Sequence, residues 1–375
     1  MSERTKPPFR ADHVGSLIRP DALIKAREQA EKGQISTEQL QRIQQAAIRD
    51  VVRMQEELGL KLVTDGEYNR HSWHRDFMLK FQNVRMMASK LTVRFHSAEG
   101  DRLHSPPTMQ VTGKLARPNG GGIFVDDFKF LVSIARVTPK ITLPSPPVMH
   151  FRGGREAIDA KAYRDIADFY DDLARLYREE IADLARAGCR YLQLDEVNLA
   201  YLCDRELRKQ VANIGEDPAT LPATYARLLN DTIKDRPADM TVCMHLCRGN
   251  FAGAWVAEGS YEPIAELLFN EVNVDGYFLE YDSARAGGFE PLRFLPKGKI
   301  AVLGLVTTKS GELESKEALK RRIEEATKYV ALEQLALSPQ CGFSSGIGGN
   351  TMDIAGEIAK LRLVVETARE VWGHA

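Results

Sequence analysis

The chain has 375 residues, of which 43% are hydrophobic and 27% charged, and its formal net charge is −1 at pH 7. These values are typical of a globular protein with a large core, and they argue against nucleic acid or an anionic membrane as a partner. No apolar run reaches the roughly 18 residues of a membrane span. The N-terminal residues MSERTKPPFR lack the apolar segment of a signal peptide. We therefore expect a cytoplasmic protein.

The first predicted unit is a helix that ends at glycine and leads into a short apolar strand. Ser36 and Gln39 fit a capping box at the helix start. Gly59 ends the helix, and the strand LKLV then runs into a polar turn that carries Glu67. The same order of elements recurs later, where Gly188 ends a helix and the strand YLQL leads to Asp195. The buried face of that later helix is predicted to be Leu173, Leu176, Ile181 and Leu184.

Eight strand candidates follow one another along the chain, mostly separated by helical patterns. They begin at Asp12, Lys61, Lys140, Tyr191, Thr241, Gly276, Ile300 and Leu335. Apolar strands that alternate with helices are typical of a parallel sheet covered by helices. Eight such units, without a glycine-rich phosphate turn after an early strand, favour an α/β fold of the (β/α)8 TIM barrel type over an open doubly wound sheet.

One segment, from about 79 to 137, interrupts this alternation. KLTVRFHS and TMQVTGKLARPNGGGIF have the pattern of hairpin strands with a flexible tip at Gly120, Gly121 and Gly122. We interpret the segment as a β-hairpin insertion after the second barrel strand. Since no linker separates other parts of the chain, we predict a single domain over residues 1–375.

Polar and sulfur-containing side chains stand at the ends of the predicted strands, which is where barrel active sites lie. They are Ser16, Glu67, Ser145, Asp195, His245 with Cys247, Glu280, Thr307 with Lys309, and Cys341. Zinc accepts such a mixed set of nitrogen and sulfur ligands. We predict zinc ligands at His245, Cys247 and Cys341, with Glu280 as an exchangeable fourth.

The spacing of His245 and Cys247 is by itself a weak signal, because free cysteines and lone histidines are usually core residues. Cys341 strengthens it, since it ends a different strand in polar, glycine-rich surroundings. The remaining cysteines, Cys189, Cys203 and Cys243, are predicted to be structural. Five scattered cysteines are too few for a disulfide framework, so all should be free thiols.

Six short motifs occur in the order ADHVGSLIRP, VTDGEYNR, QLDEV, MHLC, FLEYDS and SPQCGF. Together they resemble the catalytic C-terminal half of cobalamin-independent methionine synthase, and more closely the short single-barrel proteins related to it, over nearly the whole chain. The resemblance implies a zinc site of His245, Cys247, Glu280 and Cys341. It also implies that the amino-acid part of a homocysteine-like thiol is held by Ser16, Glu67 and Asp195.

The chemistry implied by such a site is alkyl transfer to a thiolate. A thiol is mostly protonated at neutral pH, and coordination to zinc removes its proton. A site with two cysteinates is electron-rich, so the bound thiolate should stay nucleophilic and displace the weaker Glu280 oxygen. The expected partners are therefore a small-molecule thiol and an alkyl donor, and the sequence leaves homo-oligomerisation open.

Two departures from the family pattern fall on the donor side of the site. TTKS places Lys309 where the family has a catalytic His, and LPSPP replaces a Gly-Pro-Val-Thr type motif. We predict Lys309 to be a catalytic proton donor, although a solvated Lys at a loop start fits the sequence equally well. The duplicated N-terminal barrel of the long enzymes is also missing, so their recognition of polyglutamylated folate is not expected to carry over.

Three function classes remain open. The first is a methyltransferase that makes methionine from homocysteine. The second is a related zinc-dependent alkyltransferase such as an epoxyalkane:coenzyme M transferase, in which Arg10, Arg19 or His13 would hold a sulfonate. The third, less favoured, is a non-enzymatic barrel that binds metal or carries substrate. Turnover of a thiol separates the third class from the others.

Overall fold

The structure is a computed structural model that describes residues 3–89, 91–97, 100–118, 121–250, 253–347 and 350–375. Gly120 of the predicted hairpin tip lies outside these residues.

The helices of eight or more residues are α1 (Asp21–Glu31), α2 (Thr37–Glu57), α4 (Val125–Ile134), α5 (Ile166–Arg186), α7 (Arg205–Asn213), α8 (Leu221–Ile233), α9 (Glu262–Glu271), α10 (Lys316–Ala326) and α11 (Ile354–Trp372). The single-turn helices are α3 (Arg75–Met78) and α6 (Asn198–Tyr201). The strands are β1 (Leu62–Val63), β2 (Gln82–Met87), β3 (Val93–Phe95), β4 (Arg102–His104), β5 (Thr108–Ala116), β6 (Thr138–Pro139), β7 (Ile141–Pro144), β8 (Tyr191–Glu196), β9 (Thr241–Leu246), β10 (Gly276–Glu280), β11 (Ile300–Val306) and β12 (Leu335–Pro339).

A parallel sheet of six strands forms the centre of this mixed α/β fold, in the order β12-β11-β10-β9-β8-β7. Each strand therefore pairs with its neighbours in the chain, and its carboxyl end lies at the same edge of the sheet as theirs. The register places Asp195 of β8 directly beside His245 of β9, and Glu280 of β10 beside Gly304 of β11. The predicted site residues at these strand ends consequently share one edge.

Parallel pairing continues beyond both sides of the six-stranded sheet. On one side β1 pairs with β6, which runs almost directly into β7. On the other side Ala11 forms a single parallel bridge with Leu337 of β12.

The predicted strand beginning at Asp12 is wrong, because this bridge is the only pairing that its segment makes in the described residues. Asp12 N–H donates to the Leu337 carbonyl at 3.0 Å as part of this bridge, but the next N–H, that of His13, donates to the Asp12 carboxylate at 2.8 Å and not to a neighbouring strand. The other seven predicted strands lie where expected.

Local sequence signals explain the ends of the long helices. In α2, the Ser36 hydroxyl accepts from Gln39 N–H at 3.2 Å and the Gln39 side chain accepts from Ser36 N–H at 2.8 Å, which confirms the predicted capping box. Gly59 and Gly188 follow α2 and α5 with φ of 85° and 96°, a conformation that glycine adopts without strain. The predicted buried face of α5 is confirmed, since its four leucine and isoleucine side chains are all buried.

The segment between β1 and β6 contains two antiparallel strand pairs, β2 with β5 and β3 with β4. One of these pairs reaches the loop that follows β9. His96 and Trp255 exchange two backbone hydrogen bonds, of 2.8 and 3.0 Å, and their rings stack at 5.9 Å. The segment is therefore tied to the loop that leaves the strand carrying His245.

The core consists mainly of aliphatic and aromatic side chains from the strands and the sheet-facing sides of the helices. All five cysteines are buried and free, as predicted. Among the helices that the structure describes, none has the length and apolar character needed to cross a membrane.

Candidate metal and substrate site

A histidine and two cysteines converge where β9 and β12 end. One potential ligand atom from each of His245, Cys247 and Cys341 lies within 4.8 Å of the others, and all three side chains are buried. His245 and Cys247 face the same side because they are two residues apart in extended chain. The two sulfur atoms are 3.4 Å apart. Neither ring nitrogen of His245 has a hydrogen-bond partner in the described part of the chain.

The electrostatics of this group favour one thiolate. The contact with Cys247, followed by the nearby His245, holds the pKa of Cys341 well below its usual range despite burial. The same contact raises the pKa of Cys247. Burial alone would lower the pKa of His245, but the neighbouring Cys341 and the charges of Asp195 and Glu280 raise it. The group is thus a set of soft, partly anionic donors without a carboxylate among its members.

Glu280, the predicted fourth ligand, lies outside this group of three. Its Oε1 accepts from Arg285 Nη2 at 2.7 Å and lies 3.4 Å from Lys309 Nζ, and its Oε2 accepts from the backbone N–H of Arg248 at 3.1 Å. Burial would raise the pKa of Glu280, but the charges of Lys309 and Arg285 outweigh it and lower the pKa. Glu280 is therefore an ionised, fully buried carboxylate whose partners are cations of the protein itself.

Lys309 follows β11 and points into the site. Its side chain is only 8% exposed, and its ammonium is paired with Glu280. The interpretation of Lys309 as a solvated lysine at a loop start is therefore wrong. Thr307, two residues earlier, accepts the backbone N–H of Lys309 at 3.2 Å and so shapes this turn.

Two further carboxylates, Glu67 and Asp195, face each other near the same edge. Burial, followed by the charge of Glu67, raises the pKa of Asp195 to about 7. Burial also raises the pKa of Glu67, although Arg70 and Thr142 partly compensate. Glu67 Oε1 accepts from Thr142 Oγ1 at 2.7 Å and is 3.4 Å from Arg70, whereas Glu67 Oε2 is buried without a partner among the described residues.

The backbone at Glu67 is strained, with φ of 61° in a residue other than glycine. Arg19 holds this conformation, because its guanidinium donates to the Glu67 carbonyl at 2.9 Å. A strained residue kept in place by a buried arginine is typical of functional positions.

Ser16 lies against the loop that follows Cys341. Its carbonyl accepts from Phe343 N–H at 2.9 Å, and its hydroxyl occupies the space that a side chain at Gly342 would need. Ser16 is thereby adjacent to the loop that follows Cys341.

Ser145 has a structural role. Its hydroxyl donates to Glu196, whose carboxylate accepts the backbone N–H of Leu199 at 2.9 Å at the start of α6. Glu196, the last residue of β8, therefore caps α6, whereas its neighbour Asp195 is the register partner of His245.

The residues proposed to hold a sulfonate are engaged by the protein. Arg19 donates to the carbonyls of Ser344, Gly346, Glu67 and Arg70. Arg10 donates to carbonyls that include Glu333 at 3.1 Å, and His13 Nε2 contacts Gln55 Oε1 at 3.0 Å. These side chains connect loops and do not offer the free cation that the sulfonate hypothesis requires.

Sequence reasoning missed Arg285, Arg70 and Thr142. Arg285 stands five residues after Glu280 in LEYDSAR, where an arginine close to a predicted buried carboxylate was the available signal. No local pattern connects Thr142 with Glu67, which is 75 residues away in sequence.

The family model described as "Cobalamin-independent synthase, Catalytic domain" matches residues 9–370. The uncharacterized protein YxjG of Bacillus subtilis is 44% identical over 372 residues, which cover 99% of this chain and 96% of YxjG. A crystal structure described as that of the "Putative Vitamin-B12 Independent Methionine Synthase from Listeria monocytogenes" is 36% identical, has a TM-score of 0.77 and aligns over 99% of this chain and 100% of its own. Methionine synthase of Saccharolobus solfataricus is 25% identical over 335 residues, covering 88% of this chain and 86% of that protein. The chain therefore belongs to the family of cobalamin-independent methionine synthase catalytic domains.

Proposed function

We propose that this protein is a zinc-dependent methyltransferase that transfers a methyl group to the sulfur of homocysteine, forming methionine. The observation that carries the proposal is the juxtaposition of two unlike sites on neighbouring strands. His245, which belongs to the group of three potential metal ligands, is the register partner of Asp195, which belongs to the carboxylate pair. Homocysteine carries a thiol and an ammonium, and each matches one of these sites.

The residues present fit zinc. His245 has two buried ring nitrogens without partners, and a buried polar atom of this kind usually has one. Cys247 and Cys341 add two sulfur donors, and zinc prefers mixed nitrogen and sulfur ligands. We propose these three residues as ligands and Glu280 as an exchangeable fourth. Zinc at this place would hold the substrate sulfur as a thiolate at neutral pH.

Glu67 and Asp195 are proposed to bind the substrate ammonium. Glu67 Oε2 is buried without a hydrogen-bond partner among the described residues. Burial raises the pKa of both carboxylates, and the charge of Glu67 raises that of Asp195 further, so an added cation would stabilise their ionised forms. Ser16 is proposed to contact the substrate carboxylate from the loop beside Cys341. This arrangement would orient the thiol toward the metal ligands.

Lys309 is proposed to donate a proton to the departing group of the methyl donor. Its buried ammonium contacts Oε1 of Glu280, whereas the backbone N–H of Arg248 donates to Oε2. We further propose that an already activated donor reacts faster than free methyltetrahydrofolate, because this lysine replaces the family histidine. Efficient single-turnover transfer from free methyltetrahydrofolate would contradict that part of the proposal.

We also propose that the fold closes into a (β/α)8 barrel of one domain, with the segment at about 79–137 as a hairpin insertion. Beyond the parallel pairs already described, Thr64 Oγ1 donates to the Gly15 carbonyl at 2.6 Å and Leu17 N–H donates to the Gly66 carbonyl at 3.1 Å. These contacts join the segment before α1 to the end of β1. They would close the last gap between neighbouring elements of such a barrel.

The function is tested by incubating the zinc-loaded protein with homocysteine and a panel of methyl donors, and measuring methionine by mass spectrometry. We expect methionine with at least one donor, and loss of product with Cys341→Ser. If the protein binds zinc but alkylates only thiols without an amino group, a sister alkyltransferase is the better assignment. Absence of any thiol turnover would favour a non-enzymatic role.

A further inference from the structure

Two cationic side chains, Arg285 and Lys309, contact the buried carboxylate of Glu280. Arg285 and Lys309 both reach Oε1, at 2.7 and 3.4 Å, while the Arg248 N–H occupies Oε2. The side chains of Glu280, Arg285 and Lys309 are 0%, 11% and 8% exposed. Ion pairs with so little solvent around them are screened weakly, so both contacts compete effectively with any other partner of Glu280.

Arg285 is fixed by contacts that do not involve Glu280. It donates to Asp282 at 2.5 Å and to Ser283 Oγ at 2.7 Å, and its guanidinium lies over the Trp255 ring at 5.2 Å. Trp255 is in turn held by the two backbone hydrogen bonds with His96. The cation therefore remains in position whether or not Glu280 is bound to it.

We propose that Arg285 and Lys309 form a counter-site for Glu280, which competes with the metal for this carboxylate and keeps the fourth metal position available to the substrate sulfur. The inference rests on the proposed function and deepens it. His245, Cys247 and Cys341 already group together without Glu280, whose Oε1 contacts both cations and whose Oε2 accepts from the backbone N–H of Arg248. In this role Arg285 and Lys309 are positioning residues that act through Glu280.

The opposite role would be support of the ligand. Partners of metal-ligating carboxylates commonly orient them toward the metal, and their loss typically weakens metal binding 10- to 100-fold. A counter-site predicts the opposite change, namely tighter zinc binding, because removal of the cations frees Glu280 to bind the metal. The sign of the change in zinc affinity therefore separates the two roles without an activity measurement.

The experiment compares the zinc affinity of the full-length wild type, Arg285→Leu, Arg285→Leu/Glu280→Gln and Lys309→Met by competition with a chromophoric chelator. We expect Arg285→Leu to bind zinc about tenfold more tightly, on the scale of other outer-shell effects, and Lys309→Met to change in the same direction. The gain should disappear in the double variant, because it depends on Glu280. Visible spectra of the cobalt-substituted proteins should report a change of ligand field in Arg285→Leu only when Glu280 is present.

Arg293→Leu is the matched control, since Arg293 forms an exposed ion pair with Glu262. It should bind zinc as the wild type does. Unchanged or weaker zinc binding by both Arg285→Leu and Lys309→Met would overturn the counter-site. If circular dichroism shows that Arg285→Leu is unfolded, the zinc affinity of Lys309→Met alone tests the counter-site. A wild type that binds no zinc would instead refute the proposed function, so the two failures are distinguishable.

Discussion

Glu280 and the pair Glu67 and Asp195 are buried carboxylates at the same edge of the sheet, and they differ in how far cationic side chains of the protein compensate their charge. Glu280 has Arg285 and Lys309, which lower its pKa. Glu67 has one close cation, Arg70 at 3.4 Å, and Asp195 accepts a hydrogen bond from the neutral Gln193 side chain at 2.7 Å. Burial nevertheless raises the pKa of Glu67, and burial followed by the charge of Glu67 raises the pKa of Asp195 to about 7. The protein therefore stabilises the first carboxylate by itself and leaves the second pair electrostatically unfavourable.

This difference indicates different tasks. Because Glu280 is already paired with Arg285 and Lys309, it could leave a bound metal ion without becoming an unpaired buried charge. A carboxylate pair that lacks sufficient positive charge gains most when a cation binds, which suits the recognition of an ammonium. Such binding sites commonly lower stability in the absence of ligand. The predictions below test this contrast, from the largest expected effect to the smallest.

The largest effect is expected from changes to the two cysteines proposed as zinc ligands. Cys247→Ser and Cys341→Ser should reduce the zinc content from about one ion per chain to a small fraction, because each removes a ligand from a three-residue set. Elemental analysis after gel filtration measures this, and Cys189→Ser, which changes a buried cysteine outside the site, is the control. Full zinc in both site variants would place the metal elsewhere.

Lys309→Met should lower kcat by about 10²- to 10⁴-fold, the usual range for loss of a general acid. Zinc content should be retained, because the change removes a cation next to Glu280 and no proposed ligand. Stopped-flow single-turnover kinetics separate the chemical step from product release. A rate near that of the wild type would remove Lys309 from proton transfer.

On the other side of the site, Glu67→Gln and Asp195→Asn should each raise KM for homocysteine about 10- to 100-fold. Each change removes a charge-assisted contact of about 1.5–3 kcal/mol. Steady-state kinetics with homocysteine and with a thiol that lacks the amino group provide the comparison, and only the first substrate should be affected. Equal effects on both thiols would assign these carboxylates another role.

Homocysteine binding should also depend on pH around neutrality. Asp195 has a pKa of about 7, so its carboxylate gains a proton and loses its charge as the pH falls through that value. KM for homocysteine should therefore rise several-fold between pH 8 and pH 6 in the wild type. The same profile should be flatter in Asp195→Asn. An identical pH profile in the two proteins would show that another group is responsible.

The smallest effect is on stability, and here the two groups should respond with opposite sign. The pKa of Asp195 is raised on folding, so its ionisation destabilises the native state as pH rises from 3.8 to about 7, and Asp195→Asn should increase Tm at pH 8 by a few degrees. The pKa of Glu280 is lowered on folding, so its charge stabilises the native state, and Glu280→Gln should decrease Tm at pH 8. Differential scanning calorimetry of the metal-free proteins measures both changes. Shifts of the same sign would contradict the contrast.

The sequence by itself determined the order of the elements and the residue types at the strand ends. Capping at Ser36 and Gln39, the glycines that follow the helices, and the buried face of α5 are local patterns, and short-range hydrogen bonds and periodicity decide them. The spacing of His245 and Cys247 likewise fixed their common side, because alternation along an extended strand is a property of the backbone.

Tertiary structure decided what surrounds each of these groups. The segment at Asp12 pairs with β12 only through the bridge at Ala11, and the His13 N–H beyond it donates to the Asp12 carboxylate and not to a strand. Lys309 is buried against Glu280, which is 29 residues away in sequence, and Thr142 reaches Glu67 across 75 residues. Such contacts set burial and charge balance, and these quantities depend on chain segments that no local pattern connects. The residue types at the site were therefore readable from the sequence, whereas the opposite electrostatics of Glu280 and Asp195 arose only when distant strands were brought together.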